Sequence, residues 1–233
     1  MPQHSSSQPR PINIHCHHTQ AGEALQILNQ DLSDFVLTRH ADTANSPKPI
    51  SIGMHPWSIA GQDIATALER LNILCRQTNV LAIGECGLDK CIDTPLATQT
   101  AVFRHQIELA EQIRKPLIIH CVRAFNELLA LRKILKPRQP WIIHGFTGKS
   151  ALAAQLLKHG CYLSFGKALL KPDSPACQTL PHIPLDRLFL ETDAATDISI
   201  AQIYAAAAKI LGLDVGALSA ELHRNFTRVF LHD

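Results

Sequence analysis

Pro116-Leu-Ile-Ile-His120 and Pro140-Trp-Ile-Ile-His144 are two short apolar runs, each opened by proline and closed by histidine. Between them, Ala124–Leu135 carries its leucines at helical spacing. Runs this short and this apolar, bounded by turn-forming residues, fit strands buried on both faces of a parallel sheet. The unit reads strand, crossover helix, strand, with a histidine at the carboxyl end of each strand.

The same rhythm extends in both directions. Further strands are expected at Pro11–His15, Asp34–Thr38, Pro49–Gly53, Val80–Gly84, Gly160–Phe165 and Arg187–Glu191. Helical spacing recurs in Ile64–Thr78, Thr98–Arg114 and Ser150–His159, then in alanine-rich Ser199–Leu211 and in Ala217–Leu231. Ala41–Lys48, between the second and third strands, reads as a loop. Eight strands with intervening helices predict a TIM-type (β/α)8 barrel, with an open doubly wound sheet as the competing α/β arrangement. With 233 residues and no internal repeat or linker, one domain is expected over residues 12–233, after a flexible polar lead-in at 1–11.

Composition narrows the classes. A net charge of +2 is too small to bind nucleic acid by electrostatics alone. The lead-in lacks the apolar core of a secretory signal, and no run is long and pure enough to span a bilayer. The seven cysteines include no Cys-x-x-Cys pair, which argues against a disulfide framework or thiolate zinc ribbon and for a reducing compartment, the cytoplasm. Thirteen histidines are many, and their placement carries the chemistry.

In a barrel all strand ends converge on one catalytic face. The first strand brings His15 and His17 there; in an extended chain residues i and i+2 share a side. His18 would then point away, to an outer layer or to solvent. The fourth strand brings Glu85, which needs either a cation or an arginine partner if buried. The fifth and sixth bring His120 and His144, and the eighth brings Asp193. Glu191, two residues before Asp193, either shares its side or pairs with an interior cation. Four imidazoles and two carboxylates suit two divalent ions, Mg, Mn or Zn, bridged by a carboxylate. Glu85 is the expected bridge and Asp193 the expected proton acceptor, making these the catalytic pair. His55, Arg123 and Lys167 are expected to face the same cleft and hold a phosphate.

The ordered motifs His-Cys-His, Gly-Met-His-Pro, Gly-Glu-Cys-Gly-Leu-Asp, Ile-His-Cys-Val-Arg-Ala, His-Gly-Phe-Thr-Gly and Glu-Thr-Asp resemble the TatD family of metal-dependent deoxyribonucleases, within the amidohydrolase superfamily. The likeness runs from about Ile12 to Phe230, and Gln99, Phe103, Gln106, Ala110 and Asn225 also fit it. It implies a TIM barrel, a metal site formed by His15, His17, Glu85, His120, His144 and Asp193, and hydrolysis that removes nucleotides from DNA ends. His55 and Arg123 fall where the family has phosphate-side residues. Three positions depart: Asn13 stands where the family usually has Asp, His18 where it has an apolar residue, and Ala194-Ala195-Thr196-Asp197 where it has a Ser-Pro-Tyr-Leu-type loop.

The leading expectation is a phosphodiesterase acting on DNA or a related nucleotide substrate, as a monomer or weak oligomer with no obligatory protein partner and no membrane. A metal-dependent ester, amide or aminoacyl-ester hydrolase would use the same fold and ions. A non-catalytic metal-binding scaffold is the third alternative.

Overall fold

The apolar runs form parallel strands. A computed structural model describes residues 10–19, 22, 24–33 and 48–231. Its strands are β1 (Ile12–Cys16), β2 (Leu25–Asp31), β3 (Ile50–Gly53), β4 (Val80–Asp89), β5 (Leu117–Val122), β6 (Trp141–Ile143), β7 (Cys161–Phe165) and β8 (Leu188–Leu190). Each pairs with the next in one eight-stranded sheet. Just past the ends of β1 and β8 the circle closes. The His17 N–H donates to the Asp193 carbonyl at 3.1 Å, and the Asp193 N–H to the His15 carbonyl at 3.0 Å. The fold is therefore a TIM-type barrel, and the open sheet is set aside because its first and last strands would not meet.

The helices are α1 (Ile64–Leu74), α2 (Leu96–Ile113), α3 (Phe125–Leu135), α4 (Ser150–Lys158), α5 (Pro175–Thr179), α6 (Ile200–Leu211) and α7 (Val215–Phe226), the last continued by a π-helical turn at Thr227–Leu231. Among the described residues no single helix is long and apolar enough to cross a membrane. The ends are written in the sequence where capping chemistry is clear. Ser199 and Gln202 form a reciprocal capping box at the start of α6, and Gly212 ends it in the left-handed region at φ 66°.

Two apolar layers result. Leu71, Phe103, Leu128, Leu156 and Ile203 pack from the helices onto the outward side chains of the strands. Inside, Ile12, Ile14, Ile27, Ala82, Ile118, Ile142, Tyr162 and Phe189 fill the barrel, together with Phe226, Val229 and Phe230 of the C-terminal segment. The Phe230 ring meets Phe189 edge-on at 5.8 Å. With this end of the barrel plugged by hydrocarbon, the polar residues collect at the carboxyl ends of the strands.

One strand differs from expectation. Both Asp34–Thr38 and most of Ala41–Lys48 lie outside the described residues, as do residues 1–9 of the lead-in. The second barrel strand is Leu25–Asp31, paired with both neighbours. Its apolar content is confined to Leu25, Ile27 and Leu28, and it ends in Asn29-Gln30-Asp31, so it does not present a continuous apolar run.

Polar side chains on the helices fix the strand ends. From α2, Gln106 accepts from the Met54 N–H at 2.9 Å and donates to its carbonyl at 3.1 Å, while Gln99 does the same for Asp89 at 2.8 and 2.9 Å. Tyr204 of α6 brackets Ile12, accepting from its N–H and donating to its carbonyl. Asn225 of α7 donates to the carbonyls of Leu185 and Leu188 at the start of β8. These buried amides and the phenol are fully partnered, as buried polar groups must be if burial is not to cost stability.

Candidate metal centre

Simple alternation brings in two of the expected ligands, since His120 follows Ile118 and His144 follows Ile142; Asp193, beyond β8 at φ 53°, joins them on the inner side with Phe189 and Glu191. The other two strands need a correction. Ile12 and Ile14 face inward on β1, so strict alternation would turn His15 outward. The β1–β2 register shifts between Asn13 and Cys16, and His15 faces inward after all. On β4, Ala82 faces inward, the β4–β5 register shifts between Ile83 and Cys86, and Glu85 is re-aimed in the same way. Such irregularities bend a strand and redirect its side chains next to active sites.

All six expected ligands meet. His15 Nε2 and His17 Nε2 each lie 3.4 Å from Glu85 Oε2, and 3.5 and 3.4 Å from Asp193 Oδ1. Donors on one tetrahedral ion at about 2.0–2.2 Å stand about 3.3–3.6 Å apart, which matches all four separations. The other oxygen, Glu85 Oε1, faces His144 Nε2 at 2.8 Å, His120 Nδ1 at 3.0 Å and His55 Nε2 at 3.1 Å. One carboxylate is thus shared by two sets of imidazoles. Both ring nitrogens of fully buried His15 lack a hydrogen-bond partner, and an ion between the four atoms would satisfy Nε2. The histidine–carboxylate cluster fits a divalent metal site.

Neighbouring carboxylates orient the imidazoles. His120 Nε2 lies 3.0 Å from Asp89 Oδ2, which leaves Nδ1 for the centre. His144 Nδ1 lies 3.4 Å from Glu191 Oε1, which also accepts from the Gly145 N–H at 2.6 Å, and this leaves Nε2 for the centre. Carboxylate–histidine pairs of this kind set the tautomer and raise the basicity of a ligand. Both readings of Glu191 meet here: it lies on the inner side with Asp193, and it pairs with the interior His144. Asp89 was not singled out from the sequence, although it closes the Gly-Glu-Cys-Gly-Leu-Asp motif. Its signal was an acid at the inner end of a strand. Asn29, also unanticipated, accepts from the Glu85 N–H at 2.8 Å. Asn13 is turned away from the cluster: its amide donates to the Thr192 hydroxyl at 2.8 Å and its oxygen accepts from the Thr192 N–H at 3.1 Å, tying β1 to β8.

The electrostatics call for positive charge. Burial works against the Glu85 carboxylate, yet His144, His120 and His15 hold it well below the usual range. Asp193 is lowered too, with burial again outweighed by His15 and His17. Hydrogen bonding to Asp193, then to Glu85, pushes His17 up to about 9. His144 is raised well above its ordinary value: burial opposes the charge, but Glu85 and Glu191 prevail. The carboxylates thus favour the positively charged forms of His17 and His144, as they would favour a cation.

The cluster forms the floor of a cleft of about 700 Å³, with His18, Asn29, Asp31, Trp57, Val122 and Ala194 on its walls. Of the three phosphate candidates, His55 lines this cleft and touches Glu85; Arg123 and Lys167 are not among its lining residues. Arg123 is exposed on the turn after β5 at φ 53°. The Lys167 ammonium is exposed and lies 2.8 Å from both carboxylate oxygens of Asp197. That partner belongs to the loop in which the sequence departs from the TatD pattern.

Barrel and cluster together define a TIM-barrel protein with a histidine–carboxylate metal site. The TatD related DNase profile matches residues 17–231, and the chain belongs to that family. It is 37% identical over 147 residues to a 3'-5' ssDNA/RNA exonuclease TatD of Edwardsiella piscicida, covering 61% of this chain and 56% of that protein. It is 40% identical over 126 residues to the 3'-5' RNA nuclease TATDN2 of Homo sapiens, covering 51% of this chain and 16% of that one. The match thus spans about half the length of the bacterial relatives and less of the human one. Among solved structures, YJJV, a TatD homolog from Escherichia coli K12, superposes with a TM-score of 0.83 over 97% of this chain and 99% of its own, at 23% identity, which supports the fold alone.

Proposed function

We propose that this protein is a metal-dependent phosphodiesterase that releases nucleotides from the ends of single-stranded nucleic acid in the cytoplasm. The observation that carries this reading is the Glu85 carboxylate, shared between His15 and His17 through one oxygen and His120 and His144 through the other. The names of the E. piscicida and human relatives, both 3'-5' nucleases, support the substrate class. His15, His17, Glu85 and Asp193 would hold one ion, and Glu85, His120 and His144 a second, of Mg, Mn or Zn. Bound there, the ions supply Lewis-acid activation of water and of the phosphoryl oxygens.

The chain's own groups do the rest. Asp193, 45% exposed at the edge of the cleft, takes the proton of the attacking water and returns it to the leaving oxygen. His55 steadies a phosphate oxygen beside the cluster. Arg123 and Lys167 meet phosphates farther along the strand, Lys167 after exchanging Asp197 for substrate. All six proposed ligands lie on one chain, so no second copy is needed to complete the site.

The test is release of nucleotides from labelled single-stranded DNA and RNA by metal-stripped protein, with Mg, Mn or Zn restored in turn. The expected result is metal-dependent release that disappears in Asp193→Asn. No release with any metal, from folded and loaded protein, would contradict the proposal and turn attention to carboxylic ester and amide substrates.

A further inference from the structure

Trp57 is out of keeping with the rest of the barrel mouth. Its side chain is 64% exposed, which is costly for an indole, yet it is held firmly. Its Nε1–H donates to Asp89 Oδ2 at 2.8 Å, the same oxygen that faces His120, and its backbone N–H donates to His55 Nδ1 at 3.1 Å. The ring stands edge-on to His55 at 5.1 Å and to His120 at 5.9 Å. Burial cannot be the reason for this placement. The backbone tie to His55 holds the residue and the indole bond to Asp89 fixes the orientation of the ring, which stays open to solvent.

Trp57 is also common to two cavities. One is the metal cleft; the other, about 620 Å³, lies between the starts of α1 and α2. The second cavity has Ile59, Ile64, Ile92 and Pro95 on its apolar side, with Gln62, Asp93, Thr94 and Thr98 as polar groups. A flat apolar wall with a few acceptors at its margin suits a nucleobase, which has a π face and donor-bearing edges. An indole one ring contact away from His120 is within a nucleotide's reach of a phosphate at Glu85.

Resting on the phosphodiesterase reading, we infer that Trp57 is the stacking platform for the base next to the scissile phosphate, and that the cavity between α1 and α2 receives that base. Contact through a π face recognises a single strand without selecting a sequence, because every base presents one. A paired base would be occupied by its own stack.

The experiment uses both steady-state kinetics and binding. The protein has two tryptophans, and the other, Trp141, is fully buried, so a change in emission when a single-stranded oligonucleotide is added to metal-free protein reports on Trp57. Quenching is expected with an oligonucleotide that has an intact end, and much less with one whose terminal bases are abasic. Trp57→Ala is expected to raise KM about tenfold, the size of one lost base stack, without changing metal content. Trp57→Phe, which keeps a ring but not the bond to Asp89, is expected to recover most of the loss. With the abasic substrate, Trp57→Ala should add nothing further. The inference is overturned if KM is unchanged while kcat or metal content falls, or if Phe behaves like Ala; either result assigns Trp57 to holding Asp89. Quenching without hydrolysis by any loaded form would sink the phosphodiesterase reading and leave the base site standing. Hydrolysis without quenching would do the reverse.

Discussion

Asp89 shows how much of the centre depends on a residue that need not touch an ion. Its Oδ2 faces His120 Nε2 and also accepts from Trp57, while Oδ1 accepts from the Cys91 N–H at 2.8 Å. With the carboxylate fixed this way, His120 can offer only Nδ1 to Glu85. Asp89→Asn keeps the shape but loses the charge that favours this tautomer, and it is expected to weaken metal binding about 10–100-fold. Competition titration against a chelating dye measures it, and an affinity equal to wild type would refute the role. The imidazoles also link metal to pH. His17 rises from 6.5 to about 9 in the metal-free fold, and His15 and His144 shift in the same direction. A raised value stabilises the fold fully below the unfolded value and stops doing so as pH climbs through the folded one. Metal-free protein is therefore expected to lose thermal stability between pH 6.5 and 9, while added metal stabilises it most at the alkaline end, where fewer protons must be displaced. Melting curves at both limits, with and without Mn, check this; a metal-free midpoint that holds level would contradict it. The six residues that come together at the cluster were legible because each ends or follows a short run of strand character. The partners of the outer positives were not, since nothing in the spacing of Lys167 and Asp197 announces that they meet.

At the scale of the element, the informative feature is where regular alternation breaks. The register shifts in β1 and β4 put His15 and Glu85 on the inner face, and a count of alternating residues from Ile14 or Ala82 would place both outside. Glycines stand inside the second shift, at Gly84, and just beyond it, at Gly87. Gly87, two residues after Glu85, has φ 139°, and a Cβ there would come within 2.0 Å of the His120 carbonyl oxygen. Only glycine allows β4 and β5 to approach so closely while each carries a residue of the cluster. Gly87→Ala is expected to cost at least about 1–3 kcal/mol and to reduce metal affinity by displacing His120 from Glu85. Denaturant titration together with metal titration tests both effects; a variant as stable as wild type would show that the approach is not tight. β2 was missed because its side chains serve the site as much as the core: Ile27 packs inside, but Asn29 accepts from Glu85 and Asp31 from the Ser58 hydroxyl at 2.7 Å. A strand ending in three polar residues does not resemble its apolar neighbours.

Across the whole molecule, parallel closure turns separated motifs into one centre. His15 and Asp193 lie at opposite ends of the chain and meet because β1 and β8 join through hydrogen bonds between those very residues. The inner layer, plugged by Phe226, Val229 and Phe230, leaves the carboxyl ends as the open face, so histidines at the ends of four strands, β1, β3, β5 and β6, converge on the Glu85 carboxylate of β4. Strand count, helix positions and this convergence could be anticipated because the apolar rhythm repeats, whereas the shape of the substrate cleft depends on loops that carry no such period. Glu85 is where the pieces meet. The decisive measurement is the metal bound per chain, alongside nucleotide release, for wild type and for Glu85→Gln, which keeps the side chain's size and removes its charge. Wild type is expected to take up two ions and to hydrolyse single strands. The variant is expected to lose at least one ion and nearly all activity. Full metal content and an unchanged rate in Glu85→Gln would contradict a shared carboxylate at the heart of the site.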